Sequence, residues 1–242
     1  MYKTFITILI FLSFFSRGLF SLTAEEILKL VDEKRGPEGY FLTKMRVTSY
    51  KGDKIEESLE MKGYIKGNKS MVYFTSPAKW KGRKMLMIGN DVVMIFPNTS
   101  KPVRLSPSQR LMGNVANGDV ARAAFSVDYN ATLIGEERLD NKDCYRLKLS
   151  AKNTGTTYNS IDLWVEKDTF SPFKAVFYSL SGKELKQAYY SDLKVLAGSE
   201  RISKITIYDS IRKDNYSVIE FLSMEKEEFS EKYFNIDYLF EM

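Results

Sequence analysis

The stretch Trp80–Phe125, WKGRKMLMIGNDVVMIFPNTSKPVRLSPSQRLMGNVANGDVARAAF, decides how the chain is read. Two apolar runs, Met85–Ile88 and Val92–Phe96, flank Gly89-Asn90-Asp91. Residues of that kind form tight turns, so the pair predicts a β-hairpin. Apolar side chains stand at successive positions in both runs. Neighbours in a strand point to opposite faces, so both faces of this hairpin are expected to be covered. Pro97-Asn98-Thr99-Ser100 breaks the second strand, and Val103-Arg104-Leu105 makes a short third. Ser106 at an N-cap and Pro107 at the first helical position predict a short helix that Gly113 ends. Asn117-Gly118-Asp119 predicts the start of a second, Val120–Phe125. The stretch reads as a sheet with a helical lid, or as an ordinary covered hairpin in a β-sandwich.

Upstream, Thr23-Ala24-Glu25-Glu26 is a capping box at a helix start. Ile27, Leu30, Val31 and the stem of Lys34 share one face at helical spacing, and Gly36-Pro37 stops the helix. From Tyr40 the period changes to two. Leu59, Met61, Gly63 and Ile65 alternate with Glu60, Lys62, Tyr64 and Lys66, between turns at Gly52-Asp53 and Gly67-Asn68. Met71–Phe74 is a further strand. Downstream, Ala131–Glu137, Cys144–Ala151, Ser160–Glu166, Lys174–Ser179, Glu184–Leu196, Ile202–Tyr208 and Tyr216–Leu222 continue the pattern. Short turns between alternating strands predict an antiparallel meander, apolar on one face and solvated on the other. About ten or more strands in one twisted sheet tend to curl. The expected fold is therefore mainly β: an open antiparallel half-barrel with an N-terminal helix and short lid helices. No linker or low-complexity tract divides it, so residues 22–242 are read as one domain. Met224–Met242 reads equally as a short helix or a last strand.

Residues 1–21 read as a cleaved secretory signal. Lys3 supplies the positive start, Thr4–Phe15 an apolar core, and cleavage after Gly18 or after Ser21 fits the small residues there. No cysteine stands near either point to accept a lipid, so the mature chain is expected to be soluble and not lipid-anchored. The 242 residues carry 36 Lys and Arg against 31 Asp and Glu, a net +5, or +3 without Lys3 and Arg17. This modest charge is spread along the chain, with no basic block interleaved with aromatics, so nucleic acid is not an expected partner. It is compatible with transient contact with an anionic membrane or with a solvated basic surface.

The runs Lys81-Gly82-Arg83, Leu86, Pro97, Arg104, Arg110-Leu111-Met112-Gly113 and Asp119 are joined by Leu163-Trp164-Val165-Glu166, Pro172-Phe173-Lys174 and Gly182-Lys183. In this order and spacing, the chain resembles the LolA-like family of outer-membrane lipoprotein-sorting proteins, over nearly its whole mature length. The resemblance implies an open β-barrel with helices plugging its mouth, carrying lipid or acylated protein across a periplasm. It also implies an inner-membrane releasing complex as a partner.

Other chemistry is thinly represented. There is no histidine and one cysteine, Cys144, so Ser-His-Asp or Cys-His machinery and Cys/His metal sites are excluded. No glycine-rich phosphate loop is present. Glu56-Glu57 and Glu136-Glu137 are strand neighbours that point apart and form no facing pair by themselves. The expectation is a protein that is not an enzyme and holds no cofactor or metal. What the sequence offers is an adaptable apolar surface: Met45, Met61, Met71, Met85, Met87, Met94 and Met112 on strands and lid, with Phe74, Trp80, Phe96, Phe125 and Trp164 adding bulk. Each is also an ordinary core residue in the simpler reading. Burying an acyl chain is worth ~0.8 kcal/mol per CH₂, so a long chain loses on the order of ten kcal/mol in water. A carrier must replace that burial. Candidate lining and lid positions are Met71, Trp80, Arg83, Met85, Met87, Met94, Phe96, Arg104, Arg110, Leu111, Met112 and Phe125, with the arginines able to hold carbonyls or a headgroup. Three functions follow: a carrier sorting lipoproteins toward the outer membrane, a carrier of free phospholipid or another lipid, or an envelope-stress or structural module whose interior stays filled.

Overall fold

Period-two alternation runs from Tyr40 to Lys226, and almost all of it folds into one sheet. The computed structural model describes residues 22–212 and 214–242, so the leader read at residues 1–21 lies outside the described residues. Helix α1 (Ala24–Arg35) precedes strands β1 (Tyr40–Lys51), β2 (Lys54–Lys66), β3 (Lys69–Ser76), β4 (Lys84–Ile88), β5 (Asp91–Ile95) and β6 (Val103–Leu105). A small hairpin, β7 (Arg110–Met112) and β8 (Val115–Ala116), leads into α2 (Asn117–Ala121). Strands β9 (Tyr129–Leu139), β10 (Lys142–Ala151), β11 (Ser160–Glu166), β12 (Pro172–Tyr178), β13 (Glu184–Leu196), β14 (Ser199–Asp209) and β15 (Asn215–Lys226) follow. A 3₁₀ turn (Glu231–Phe234) and α3 (Ile236–Glu241) end the chain.

Thirteen strands form one antiparallel sheet in the order β6-β5-β4-β3-β2-β1-β15-β14-β13-β12-β11-β10-β9. Among the described residues, the one long-range pairing in this sheet is β1 with β15, and every other neighbour follows its partner directly in sequence. Register shifts interrupt the ladders at Lys44/Met45, Ser49/Tyr50, Glu60/Met61, Arg146/Leu147, Trp164/Val165 and Phe177/Tyr178. Such bulges bend strands and raise their twist, and here they curl the sheet into an open half-barrel. Seven strands separate β4 from β11 in the sheet. The β4/β5 tip nevertheless reaches the β10/β11 loop, where the Asn90 amide donates to Asn153.

Helix α1 lies on the concave face against β9 and β14. Thr23 and Glu26 form the expected reciprocal cap: Thr23 N donates to the Glu26 carboxylate at 2.8 Å, and Glu26 N to Thr23 Oγ1 at 3.2 Å. The buried face is Ile27, Leu28, Val31 and Asp32 rather than one through Leu30 and Lys34. The helix rotates to place Asp32 against lid amides, a polar requirement invisible to apolar periodicity.

Two helical expectations are corrected. Residues 107–113 form a turn and strand β7. Ser106 Oγ accepts from Ser108 N, and Gln109 N donates to Ser106 O, closing a tight turn. Gly113, at φ +51°, then reverses the chain so that Arg110–Met112 pairs with Val115–Ala116. The second helix spans Asn117–Ala121 and stops well before Phe125, because Arg122 is extended and its side chain pairs with Asp128.

The hairpin β4/β5 is covered on both faces, as its apolar runs require. Its inner side chains, Met85, Met87, Val92 and Met94, join the main core. Its outer ones, Leu86, Val93 and Ile95, join Met71 under Phe234 and Leu239. The C-terminal segment is thus helical, and it supplies the outer cover. Glu231 anchors it, accepting from Tyr40 Oη and Lys66 Nζ at 2.6 Å and from Lys69 Nζ at 2.8 Å. These donors pull its carboxyl from 4.5 down to about 2. A lowered carboxylate contributes its anchoring above pH 4.5 and loses it as pH falls through about 2. Amide exchange of residues 227–242 is therefore expected to rise across that window, and Glu231→Gln to show the fast exchange already at neutral pH.

Candidate functional site

The concave face is apolar because every second side chain of the long strands points into it. Met45 and Val47 of β1, Leu59 and Met61 of β2, Phe74 of β3 and Met85 and Met87 of β4 are each at most 1 % exposed. Across the half-barrel stand Leu147 and Leu149 of β10, Ile161, Leu163 and Val165 of β11, and Ala175 and Phe177 of β12. The segment 106–128, with β7, β8 and α2, lies over this face as a lid. It buries Met112, Val115, Val120 and Phe125 into the same core. An open pocket of about 200 Å³ lies at the border of the lid, lined by Asn114, Val115 and Ala116 with Tyr158 and Lys186. Directly beneath the lid the interior is nearly filled: the cavities bordered there by Arg35 measure about 30 and 20 Å³. Each has room for roughly one water and none for an acyl chain.

The lid's underside is apolar and its borders are polar. On α2, the Asp119 carboxylate takes the Tyr158 hydroxyl and Ala116 N at 2.7 Å each, and pairs with Lys186 of β13. Lys186 also donates to Asn114 O at 3.0 Å. Burial pushes the Lys186 ammonium below its ordinary range, and Asp119 only partly opposes this. Beyond α2, Arg122 Nε donates to Asp128 at 2.8 Å and its Nη2 reaches Gly89 O on the β4/β5 tip. From α1, Asp32 accepts Phe125 N at 2.6 Å and Ser126 N at 2.8 Å. Burial raises the Asp32 and Asp128 carboxyls, with Arg35 and Arg122 pulling each back. At the near end, Asn114 N donates to Ser217 Oγ at 3.0 Å and its side chain to Asn215 O at 2.9 Å.

Two glycines let the lid lie this close. A Cβ on Gly113 would stand 2.5 Å from Ser217 Oγ, and one on Gly118 would stand 1.9 Å from Thr157 Oγ1. Hydrogen bonds of this kind are worth about 1 kcal/mol each in net terms, since water replaces them when they break. Exposing Met112, Val115, Val120 and Phe125 is the larger cost of opening, roughly 6–12 kcal/mol at 1.5–3 per side chain. An acyl chain brings a burial of similar size, on the order of ten kcal/mol. The arrangement therefore suits an exchange in which apolar cargo replaces the underside of the lid.

A family model described as "Uncharacterized protein" matches residues 66–241. No curated protein matches the sequence. Among solved structures, a LolA superfamily protein from Nitrosomonas europaea is 37% identical, with a TM-score of 0.85 over 90% of this chain and 100% of that one. The chain belongs to the LolA superfamily. Two further structures share the fold at lower identity. A DUF1329 family protein from Desulfovibrio piger has a TM-score of 0.75 at 21% identity, covering 90% of this chain and 100% of that chain. A domain named for outer membrane lipoprotein sorting, from Vibrio parahaemolyticus, has 0.73 at 18%, covering 89% and 99%.

In this LolA-superfamily chain, the positions singled out from sequence separate into three groups. Met85, Met87, Met94, Met112 and Phe125 face the interior, with Trp80, Phe96 and Leu111 packed at its margin. Met71 faces the other way, under the C-terminal helix, because β3 turns Val72 and Phe74 inward and the alternation turns Met71 out. None of the three arginines is buried in the core beneath the lid. Arg83 stacks on Trp80 and Phe96 at 4.3 and 5.1 Å from their ring centres and donates to Lys79 O. Arg104 is 84% exposed, and Arg110, exposed on β7, borders the open pocket beside the lid that Lys186 and Asp209 also line.

The charged groups that do meet the interior are Asp32, Arg35, Asp119, Arg122, Asp128 and Lys186. Lys186 was detectable: in Glu184–Leu196 it shares parity with Ala188 and Tyr190, the inward side of the strand. Arg35 and Asp32, one helical turn apart beside an apolar face, carried the same signal. Among the described residues, no group of three His, Cys, Asp or Glu side chains is placed to hold a metal ion. No described helix is long and apolar enough to cross a membrane.

Proposed function

We propose that this protein is a periplasmic carrier that receives the acyl chains of lipoproteins beneath its lid and passes them toward the outer membrane. The observation that carries the reading is the concave apolar sheet covered, beside α1, by the segment 106–128, whose borders are polar and whose underside is apolar. Six methionines, Met45, Met61, Met85, Met87, Met94 and Met112, line that interior. Their unbranched thioethers adjust to varied apolar shapes, as cargo of mixed chain length demands. Membership in the LolA superfamily supports the reading, as does the fold shared with a domain named for lipoprotein sorting. A releasing complex in the inner membrane and transient membrane contact belong to the same proposal.

The test is native mass spectrometry on protein purified from a bacterial periplasm without detergent, compared with an organic extract of the same sample. Acyl compound at a defined ratio supports carriage. Lipopeptide in the extract identifies lipoprotein cargo, and phospholipid alone moves the assignment to a free-lipid carrier. One observation favours a different reading: directly beneath the lid the interior is nearly filled, with cavities there of about 30 and 20 Å³. A binding module that never opens would look the same. Empty protein that takes up nothing from added vesicles or lipopeptide would establish that alternative.

A further inference from the structure

Arg35 stands at the C-terminal turn of α1, under the lid, with 11% of its side chain exposed. It borders both cavities beneath the lid. Its guanidinium lies 3.7 Å from the centre of the Phe125 ring. Neither Nε nor Nη1 makes a hydrogen bond. Charged donors without a protein partner inside a fold are costly unless water or a ligand takes them up.

The neighbouring acids do not supply that use. Asp32 is 3.9 Å from Nη1, beyond hydrogen-bond reach, and its two oxygens already accept Phe125 N and Ser126 N. Its carboxyl is raised by burial, which further weakens it as a counter-ion. Asp128 is engaged by Arg122, and Asp119 by Lys186, Tyr158 and Ala116 N. Arg35 is thus a cation beneath the lid with two donors left over. A guanidinium presents its donors as a planar fork that matches a carboxylate or phosphate. The guanidinium lies against the space that the Phe125 ring occupies beneath the lid.

We propose that Arg35 is an anion-binding residue of the interior, and that the protein prefers amphiphiles whose head is a carboxylate or phosphate. The head sits on the guanidinium in place of the Phe125 ring, and the chain runs along the methionine-lined sheet. This rests on the carrier reading and directs it toward lipids that bear an anionic head.

The experiment is a set of titrations of the detergent-free protein with palmitate, hexadecyl phosphate, hexadecanol and inorganic phosphate. Bonds to a charged partner set the scale, so the two anionic amphiphiles should bind about tenfold or more tightly than hexadecanol. Arg35→Gln should remove that difference while leaving hexadecanol binding in place, and Arg35→Lys should keep part of it. Inorganic phosphate alone should not displace palmitate. Equal binding of palmitate and hexadecanol by the unaltered protein would overturn the proposal while leaving carriage intact. Displacement of palmitate by inorganic phosphate would overturn it in favour of a free-anion site. If none of the three amphiphiles binds, the carrier reading itself falls. The comparison within the unaltered protein decides the matter even if Arg35→Gln fails to fold.

Discussion

Truncating Asp119 to alanine is expected to cost about 3–5 kcal/mol of folding stability, the scale for breaking one side of a buried ion pair. The carboxylate joins the lid to the sheet through Lys186 and Tyr158, and it satisfies the N–H of Ala116 ahead of α2. Without it, Lys186 is a buried ammonium holding only the carbonyl of Asn114. Lys186→Met should cost less, because Asp119 keeps two donors at 2.7 Å. The double variant Asp119→Leu/Lys186→Met should recover most of the loss, since apolar replacements of a buried pair are often tolerated. Denaturant unfolding of all three measures the coupling directly. A single-variant loss below about 1 kcal/mol would show that the pair does not hold the lid.

The second large effect concerns cargo. Met112 sits on β7, 4% exposed, with its side chain in the main core. Met112→Asp places a charge on the underside of the lid, where the proposed chain must lie. Uptake of lipopeptide or phospholipid should fall at least about tenfold, because a buried carboxylate without a partner costs several kcal/mol. Met112→Leu conserves volume and polarity and should retain uptake. A protein whose interior never opens would respond differently. Met112→Asp would then lower its melting temperature and leave its negligible lipid content unchanged. Comparing uptake with melting temperature for the same two variants separates the cases.

Much of the fold was legible because one physical rule repeats. Alternation plus short turns located the strands of the sheet, and Ser160–Glu166 and Glu184–Leu196 match at both ends. The two-sided apolar runs Met85–Ile88 and Val92–Phe96 required an outer cover, although the sequence did not show that α3 supplies it. The lid was harder. Ser106-Pro107 satisfies the local rule for a helix start, but a helix there would leave Ser106 and Gly113 without the roles they play. Ser106 closes a side-chain turn, and Gly113 approaches Ser49 and Ser217, both far from it in the chain. The interior charges were missed for a related reason. Arg83, Arg104 and Arg110 drew notice by lying in the decisive stretch. Arg35 and Lys186 lie far from it in sequence and reach the lid only through the curl of the sheet.

The most direct test of a lid that opens over an apolar sheet is to fasten it. Gly118 of α2 touches Thr157 of the β10/β11 loop, and a Cβ at Gly118 would stand 3.0 Å from that of Thr157. The pair Gly118→Cys/Thr157→Cys needs to relax by about half an ångström to reach disulfide spacing. Cys144 is buried and stays out of the exchange. Uptake of a fluorescent lipopeptide would be measured on the oxidised protein, then again after reduction. A lid that must open gives negligible uptake with the bond closed and its return when the bond is opened. Equal uptake in both forms would contradict it, since cargo would then be entering without moving residues 106–128.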